Sequence, residues 1–303
     1  MATENPPSDL CVEVFLALRT GFFEEGGKPK IYGLREKRNT QDDPFDESVH
    51  RLLSAGLPGG TSCLKAPGPL ITPDLVIMRT EMCHGAPRAL LATDLSRIVA
   101  LEVKKLERTA AGGVARSSGM DYNTTPPCGT VRVYDQSGRP LDIRGSYLFV
   151  CQEAVGSEPG RYSLSAMALC DGDLLNADFD YYLSIVSQRT KEVQLGTYGN
   201  GANRHRPMLI FANPLGASEL DHSVTLVHRR HDLDSQLPQL SRVGVIRRTA
   251  RTGGPCVFHC YRLRRDVAAG QRPFDLLDPF PSPARNVRTQ PRGRFRVHVQ
   301  PAD

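Results

Sequence analysis

The fold is decided by two apolar stretches, Leu70-Ile-Thr-Pro-Asp-Leu-Val-Ile-Met78 and Arg97-Ile-Val-Ala-Leu-Glu-Val-Lys104. The second is a run of aliphatic and β-branched residues, which predicts a buried strand. The first is an apolar run interrupted by Pro73. The 28 residues between Asp74 and Glu102 allow the chain to turn back, so we expect the two stretches to pair side by side in one sheet.

Asp74, Glu102 and Lys104 are the candidate catalytic residues. Asp74 belongs to the single Pro-Asp dipeptide of the chain, and Glu102-Val-Lys104 is its single acidic-x-Lys tripeptide. Side chains alternate along a strand, so Glu102 and Lys104 share a face and Val103 points to the core. Two neighbouring carboxylates repel each other, and a hard cation such as Mg²⁺ relieves that repulsion and polarises a phosphoryl oxygen. An adjacent ammonium can orient the attacking water or offset the charge that develops on phosphorus.

This layout resembles the PD-(D/E)XK nuclease superfamily, and within it a type II restriction endonuclease. The resemblance covers residues 70–105 directly. It implies an α/β fold with a central mixed β-sheet flanked by helices, Mg²⁺ held by Asp74 and Glu102, and Lys104 acting on the water. Many such nucleases use a further acidic residue on a helix before the Pro-Asp strand, and Glu47 is the candidate by position.

The resemblance further implies hydrolysis of both strands of DNA at a specific site, leaving 5′-phosphate ends. A symmetric target favours a homodimer, and a cognate DNA methyltransferase is the expected functional companion. Two alternatives stay open. One is another nuclease on the same scaffold, acting in repair or on single strands. The other is a non-catalytic DNA-binding module, in which Glu102 and Lys104 form an incidental ion pair at a solvated strand end.

One mixed α/β domain is predicted for residues 1–303, with a catalytic core at about 45–215 and a basic C-terminal part at 216–303, because neither repeats nor clear linkers occur. Helical periodicity predicts helices at 8–23, 46–53 and 176–191, the second with Asp46 as N-cap. A Gly- and Pro-rich loop is expected at 56–69. Apolar runs predict further strands at 130–134, 147–151, 208–212, 224–227, 243–246 and 256–263.

Composition is that of an ordinary globular protein. Hydrophobic residues make up 40% of the 303 residues, and no apolar run is long enough to span a bilayer. The polar N-terminus is unlike a secretory signal, so we expect a soluble, cytoplasmic protein. The eight cysteines form no Cys-x-x-Cys pair. This gives a zinc site little support and favours reduced thiols.

Positive charge is concentrated at the C-terminal end. Residues 201–303 carry 17 Arg and no Lys against 8 acidic residues, a net charge of +9, whereas the remaining 200 residues sum to −4. A basic segment suits a polyanionic partner, because Arg neutralises phosphate and contacts guanine edges. A general preference for Arg over Lys, 31 against 7 in the whole chain, is the alternative explanation.

Two loops are candidates for contact with double-stranded DNA. Residues 117–129 contain Asp121 and Asn123, whose side chains can bond cytosine and adenine edges in the major groove. Residues 198–206 combine flexible glycines with Arg204 and Arg206. The alternatives are a structured turn for the first loop and a solvated basic loop for the second.

Overall fold

A computed structural model describes residues 8–39, 42–68, 71–108, 120–123, 129–176, 209–249 and 253–278. Within these ranges the chain is an α/β protein, in which a large mixed sheet of 11 strands is flanked by few helices. The predicted helix at 176–191 lies outside the described residues, apart from Asn176. The described part contains no helix with the length and apolar character required to cross a bilayer.

The helices are short except for the first two. Their bounds are α1 Leu10–Phe22, α2 Pro44–Gly56, α3 Thr80–Cys83, α4 Arg88–Thr93 and α5 Leu233–Gln236. The strands are β1 Tyr32–Gly33, β2 Thr61–Lys65, β3 Leu75–Arg79, β4 Ile98–Glu107, β5 Met120–Asn123, β6 Thr130–Tyr134, β7 Pro140–Ala154, β8 Arg161–Asp171, β9 Leu209–Ala212, β10 Val224–His228, β11 Leu240–Thr249, β12 Pro255–Leu263 and β13 Phe274–Leu277.

The main sheet has the strand order β13-β11-β12-β10-β8-β7-β4-β3-β2, with β1 added to β8 and β6 added to the beginning of β7. Strands β2, β3 and β4 form an antiparallel meander at one end. Strand β4 then joins the centre of the sheet through a parallel pairing with β7. The C-terminal strands β10 to β13 belong to the same sheet, and β5 and β9 form a separate two-stranded ribbon.

Helices α1 and α2 cover one face of the sheet. Their apolar side chains form one buried cluster with alternate residues of the meander, among them Leu75, Leu101 and Val103. Tyr147 and Phe149 point to the opposite face and belong to a second buried cluster. Odd-numbered residues of β4 therefore pack beneath the helices, while even-numbered residues, including Glu102 and Lys104, face the other way.

The N-terminus of α2 differs from the prediction. The helix begins at Pro44, and its N-cap is Asp43, which accepts a hydrogen bond from the Phe45 N–H at 3.0 Å. The assignment of Asp46 as N-cap was wrong, because Pro44 occupies the first helical position and the cap is the residue before it, Asp43. Asp46 instead lies in the first turn, where its carboxylate is not used for capping.

Several sheet strands were missed or misjudged from sequence. The predicted loop at 56–69 contains β2, whose residues Thr61–Lys65 have little apolar character and become a strand by pairing with β3. Strand β8 was not predicted, and β7 is 15 residues long rather than confined to 147–151. The buried strand that carries Glu102 is confirmed as β4.

Candidate active site

Asp74 and Glu102 lie at the point where β3 and β4 end their pairing. The antiparallel register pairs Leu75 with Leu101 and Val76 with Ala100, so its continuation sets Asp74 opposite Glu102. Asp74 Oδ2 accepts a hydrogen bond from the Val103 N–H at 2.7 Å, which attaches the carboxylate to β4. The predicted pairing of the two strands is confirmed, and it places the two carboxylates on one face.

Glu102 and Lys104 form a buried ion pair. Lys104 Nζ lies 2.6 Å from Glu102 Oε1, and their side chains are 11% and 6% exposed, respectively. The other carboxylate oxygen, Glu102 Oε2, is buried without a hydrogen-bond partner among the described residues. An isolated charge loses much solvation energy on burial, so an oxygen left in this state indicates that a cation or a water completes the site.

Asp46 is a third carboxylate near this pair. Burial, followed by repulsion from Asp43 and Glu102, raises the pKa of Asp46 to about 7. Burial and repulsion from Glu102 and Asp46 also raise the pKa of Asp74 well above its usual value, although the ammonium of Lys104 opposes the shift. The site therefore concentrates negative charge in a poorly solvated place, which favours binding of a cation.

Glu47 lies elsewhere. Its side chain is 48% exposed and pairs with the Arg35 guanidinium, with Glu47 Oε2 2.7 Å from Arg35 Nη2. Successive residues of an α-helix point about 100° apart, so Asp46 and Glu47 cannot both face the sheet. Of these two acidic residues, Asp46 is therefore the one whose charge interacts with those of Asp74 and Glu102, whereas Glu47 pairs with Arg35. The Asp43-Pro44 pair, a typical cap followed by proline, was the signal in the sequence that identifies the helix start.

A polar cleft of about 460 Å³ opens beside Asp46 and Asp74. Its lining also includes Arg38, Asn39 and Lys65. The cleft thus contains both carboxylates, which can bind a cation, and basic side chains, which can bind an anion. A phosphate ester bound to a divalent cation would interact with both kinds of group.

The donor set fits one hard cation held mainly by two carboxylates. Within the described ranges, no three His, Cys, Asp or Glu side chains converge into a complete metal-binding group. Mg²⁺ commonly keeps several waters and takes only one or two carboxylates plus substrate phosphate. Glu102 Oε2 has no described partner, and Asp74 uses Oδ2 for its bond to Val103 N–H, so both residues retain an oxygen for such an ion.

Only part of the two candidate DNA-contacting segments falls within the described residues. Strand β5, which contains Asp121 and Asn123, pairs antiparallel with β9, and Asn123 lies opposite Leu209. Arg204 and Arg206 lie outside the described residues, only a few positions before β9. The assignment of these four residues to DNA contact therefore stays a prediction.

Much of the basic charge near the C-terminus is used within the fold. Arg230 pairs with Asp232, Arg247 with Asp275 and Arg248 with Asp278. Arg229 and Arg265 pair with carboxylates from earlier parts of the chain. The net charge of +9 already counts Asp232, Asp275 and Asp278, so among these pairs only those of Arg229 and Arg265, with Asp173 and Glu25, further reduce the charge that this region offers to phosphate.

No protein-family model, curated protein or solved structure matches this chain. The geometry around Asp74, Glu102 and Lys104 is therefore the basis for assigning a function.

Proposed function

We propose that this protein is a Mg²⁺-dependent endonuclease of the PD-(D/E)XK type that hydrolyses phosphodiester bonds in double-stranded DNA. One observation carries the proposal. Asp74, Glu102 and Lys104, which form the sequence motif, lie together where β3 and β4 separate, and a polar cleft opens beside Asp74. The mixed sheet flanked by helices is consistent with a restriction-endonuclease-like fold.

Burial of the Glu102–Lys104 pair favours a catalytic role over an incidental ion pair. An exposed ion pair at a strand end contributes little to the stability of the fold and can occur on any solvated surface. A buried pair carries a desolvation penalty that its mutual attraction offsets only in part, so such pairs are poorly explained by stability alone. Perturbed carboxylates beside a cleft are typical of functional sites.

The residues of the chain have separate roles in this proposal. Asp74 and Glu102 would hold Mg²⁺, which when bound polarises a phosphoryl oxygen and lowers the pKa of its water. The Val103 N–H orients Asp74, and Glu102 Oε1 holds the Lys104 ammonium on the same face of β4. Lys104 can then donate a hydrogen bond to the attacking water or to the charge developing on phosphorus. Asp46 would add negative charge beside Asp74 and Glu102 and so strengthen binding of the cation.

The finer part of the proposal follows the family resemblance. It describes a type II restriction-type enzyme that acts as a homodimer at a specific site and is accompanied by a cognate DNA methyltransferase. A repair or single-strand nuclease would use the same catalytic residues and differ in its choice of substrate. Discrete fragments from long duplex DNA are expected of the restriction-type enzyme, whereas the alternatives give smears or cut only single strands.

The test is incubation of the purified full chain with plasmid and with long linear DNA, in Mg²⁺ and in EDTA, followed by gel electrophoresis and sequencing of the ends. We expect Mg²⁺-dependent cleavage at defined sites with 5′-phosphate ends. Glu102→Gln should be inactive, while Glu107→Ala provides a matched control because Glu107 is an exposed acid on the same strand. Wild-type protein that binds duplex DNA but leaves it intact with every divalent metal would identify a non-catalytic module.

A further inference from the structure

Arg38 and Lys65 form the basic rim of the cleft beside Asp74. We propose that these two side chains bind the sugar-phosphate backbone of the DNA strand that enters the active site. This inference rests on the proposed function and adds the residues that hold the substrate. Neither residue belongs to the motif that led to the nuclease assignment.

The position of Lys65 is set by the sheet. Lys65 is the last residue of β2 and lies opposite Leu75, the first residue of β3. The ladder continues one step further, since the Ala66 N–H donates to the Asp74 carbonyl oxygen at 2.9 Å. The backbone of Lys65 therefore lies one step from that of Asp74, and its exposed, flexible side chain lines the same cleft as Asp74.

The position of Arg38 is set by ion pairs that hold its loop to α2. The Arg35 guanidinium donates to both carboxylate oxygens of Asp42, at 2.5 and 2.9 Å, and also to Glu47. Asp42 in turn accepts a hydrogen bond from the Arg38 N–H at 2.8 Å. Glu47 thus anchors the loop, and the loop presents Arg38 at the cleft.

The charges around the cleft leave these two cations available. Asp42 is paired with Arg35, and Asp43 is paired with Lys105 Nζ at 3.0 Å. Of the carboxylates lining the cleft, only Asp46 and Asp74 remain, and these are the acidic groups of the active site. In the described part of the chain, no carboxylate lies within 4 Å of the charged group of Arg38 or Lys65, although both cations add to the effect of Arg35 in lowering the pKa of Glu47.

A nucleic-acid backbone matches this arrangement. Its phosphates are spaced along a strand, so one can occupy the site beside Asp74 and Glu102 while its neighbours contact cations at the rim. Lys binds phosphate as a point charge, and Arg binds it through two parallel hydrogen bonds. Contacts of this kind position the strand and carry no information on sequence.

The experiment measures binding of the full chain to short fluorescent duplexes in EDTA over a series of salt concentrations, so that catalysis does not contribute. For Arg38→Ala/Lys65→Ala, the slope of log affinity against log salt should decrease by about 1.8, or roughly 0.9 for each lost contact. That change corresponds to a roughly 60-fold loss of affinity at 0.1 M salt if the affinities converge at 1 M. All duplex sequences should be affected equally.

The matched control is Lys28→Ala/Arg51→Ala, which removes the same charge from exposed residues that neither line the cleft nor belong to the basic C-terminal part. It should keep the wild-type slope. Thermal unfolding of both double variants shows whether folding is retained. If folding is impaired in Arg38→Ala/Lys65→Ala, Arg38→Gln/Lys65→Gln preserves more of each stem and should show the same decrease.

Failure of this inference can be distinguished from failure of the proposed function. If the wild-type protein cleaves DNA and Arg38→Ala/Lys65→Ala keeps the wild-type salt slope, the inference is wrong and the proposed nuclease function is unaffected. A decreased slope in a protein that never cleaves DNA would support the basic rim and overturn the catalytic assignment. No binding of wild-type protein to any duplex would reject both.

Discussion

Lys104 Nζ lies 2.6 Å from Glu102 Oε1 on strand β4, and neither side chain is more than 11% exposed. They are two positions apart, with only Val103 between them, so the pair is a direct consequence of strand alternation. Its burial is a consequence of the sheet, because β4 lies between β3 and β7. The pair shares its site with Asp74 and Asp46, and this excess of negative charge leads to the predictions below.

Divalent metal should be required for cleavage. Asp74 and Glu102 share a poorly solvated site, and their repulsion favours a bound cation. We expect cutting with Mg²⁺ or Mn²⁺ and none in EDTA. Without DNA, Mg²⁺ should raise the thermal unfolding temperature of wild-type protein, and this increase should be lost in Asp74→Asn. Undiminished DNA cleavage in EDTA would contradict a metal-dependent mechanism.

Lys104→Ala should reduce both activity and stability. Cleavage should fall by about 100-fold or more, because the group that stabilises developing charge is removed. The metal-free protein should also unfold more easily, by about 3 kcal/mol, since breaking a buried pair leaves Glu102 uncompensated. Activity assays and urea denaturation in EDTA measure the two effects.

Glu102→Gln provides the contrasting case. It should abolish cleavage, because a proposed metal ligand is lost, yet the metal-free protein should lose much less stability than Lys104→Ala does. The substitution removes repulsion from Asp74 and Asp46 at the same time as it weakens the pair with Lys104. Residual activity of Glu102→Gln within a few-fold of wild type would return the pair to a purely structural role.

Asp46 should make the stability of the metal-free protein depend on pH. Its pKa is raised from 3.8 to about 7 in the folded state, mainly by burial. Between these values the folded protein binds more protons than the unfolded chain, so this residue's contribution makes stability fall as pH rises from about 4 to about 7. Asp46→Asn removes that contribution.

The measurement is urea denaturation of wild type and Asp46→Asn in EDTA at several pH values. The free energy of unfolding of the variant, relative to wild type, should increase across this window and level off above it. A difference that does not vary with pH would show that the Asp46 carboxylate is not buried near the other acids.

Asp46 and Glu47 should differ in their effect on metal binding. Asp46→Asn should lower the affinity for Mg²⁺ by about tenfold or more, because residues that support metal ligands typically contribute that much to metal affinity. Glu47→Gln should leave Mg²⁺ affinity nearly unchanged, since Glu47 contacts Arg35 instead. Titration of metal into DNA-free protein compares them, and equal losses in the two variants would contradict the assignment of Asp46.

The loop residues predicted from sequence can be separated by salt dependence. Removal of Arg204 and Arg206 should decrease the salt slope of DNA binding by roughly 0.9 per phosphate contact. Removal of Asp121 and Asn123 should reduce discrimination between target and scrambled duplexes and leave the slope unchanged, because no positive charge is lost. If all four substitutions leave affinity and slope untouched, neither loop contacts DNA.

Local patterns account for much of what was predicted. Helix α1 follows from apolar residues at helical spacing, and β4 follows from its continuous apolar run. Strand β2 could not be found in this way, because Thr61–Lys65 becomes a strand only through its pairing with β3. The sequence likewise gives the net positive charge of the C-terminal region, but it does not show which arginines are paired. In the fold, Arg247 and Arg248 form ion pairs.

The sequence by itself determined that Glu102 and Lys104 share one face, because side-chain alternation is a property of any strand. It also determined that Asp74 could reach them, through the length of the connection between the two apolar runs. Only the tertiary structure decided that Asp46 lies near Asp74 and Glu102 while Glu47 pairs with Arg35, and that Arg38 and Lys65 line the cleft beside Asp74. Those choices depend on which face of α2 packs against the sheet and on the ion pairs of Arg35, and both are set by contacts between segments distant in sequence.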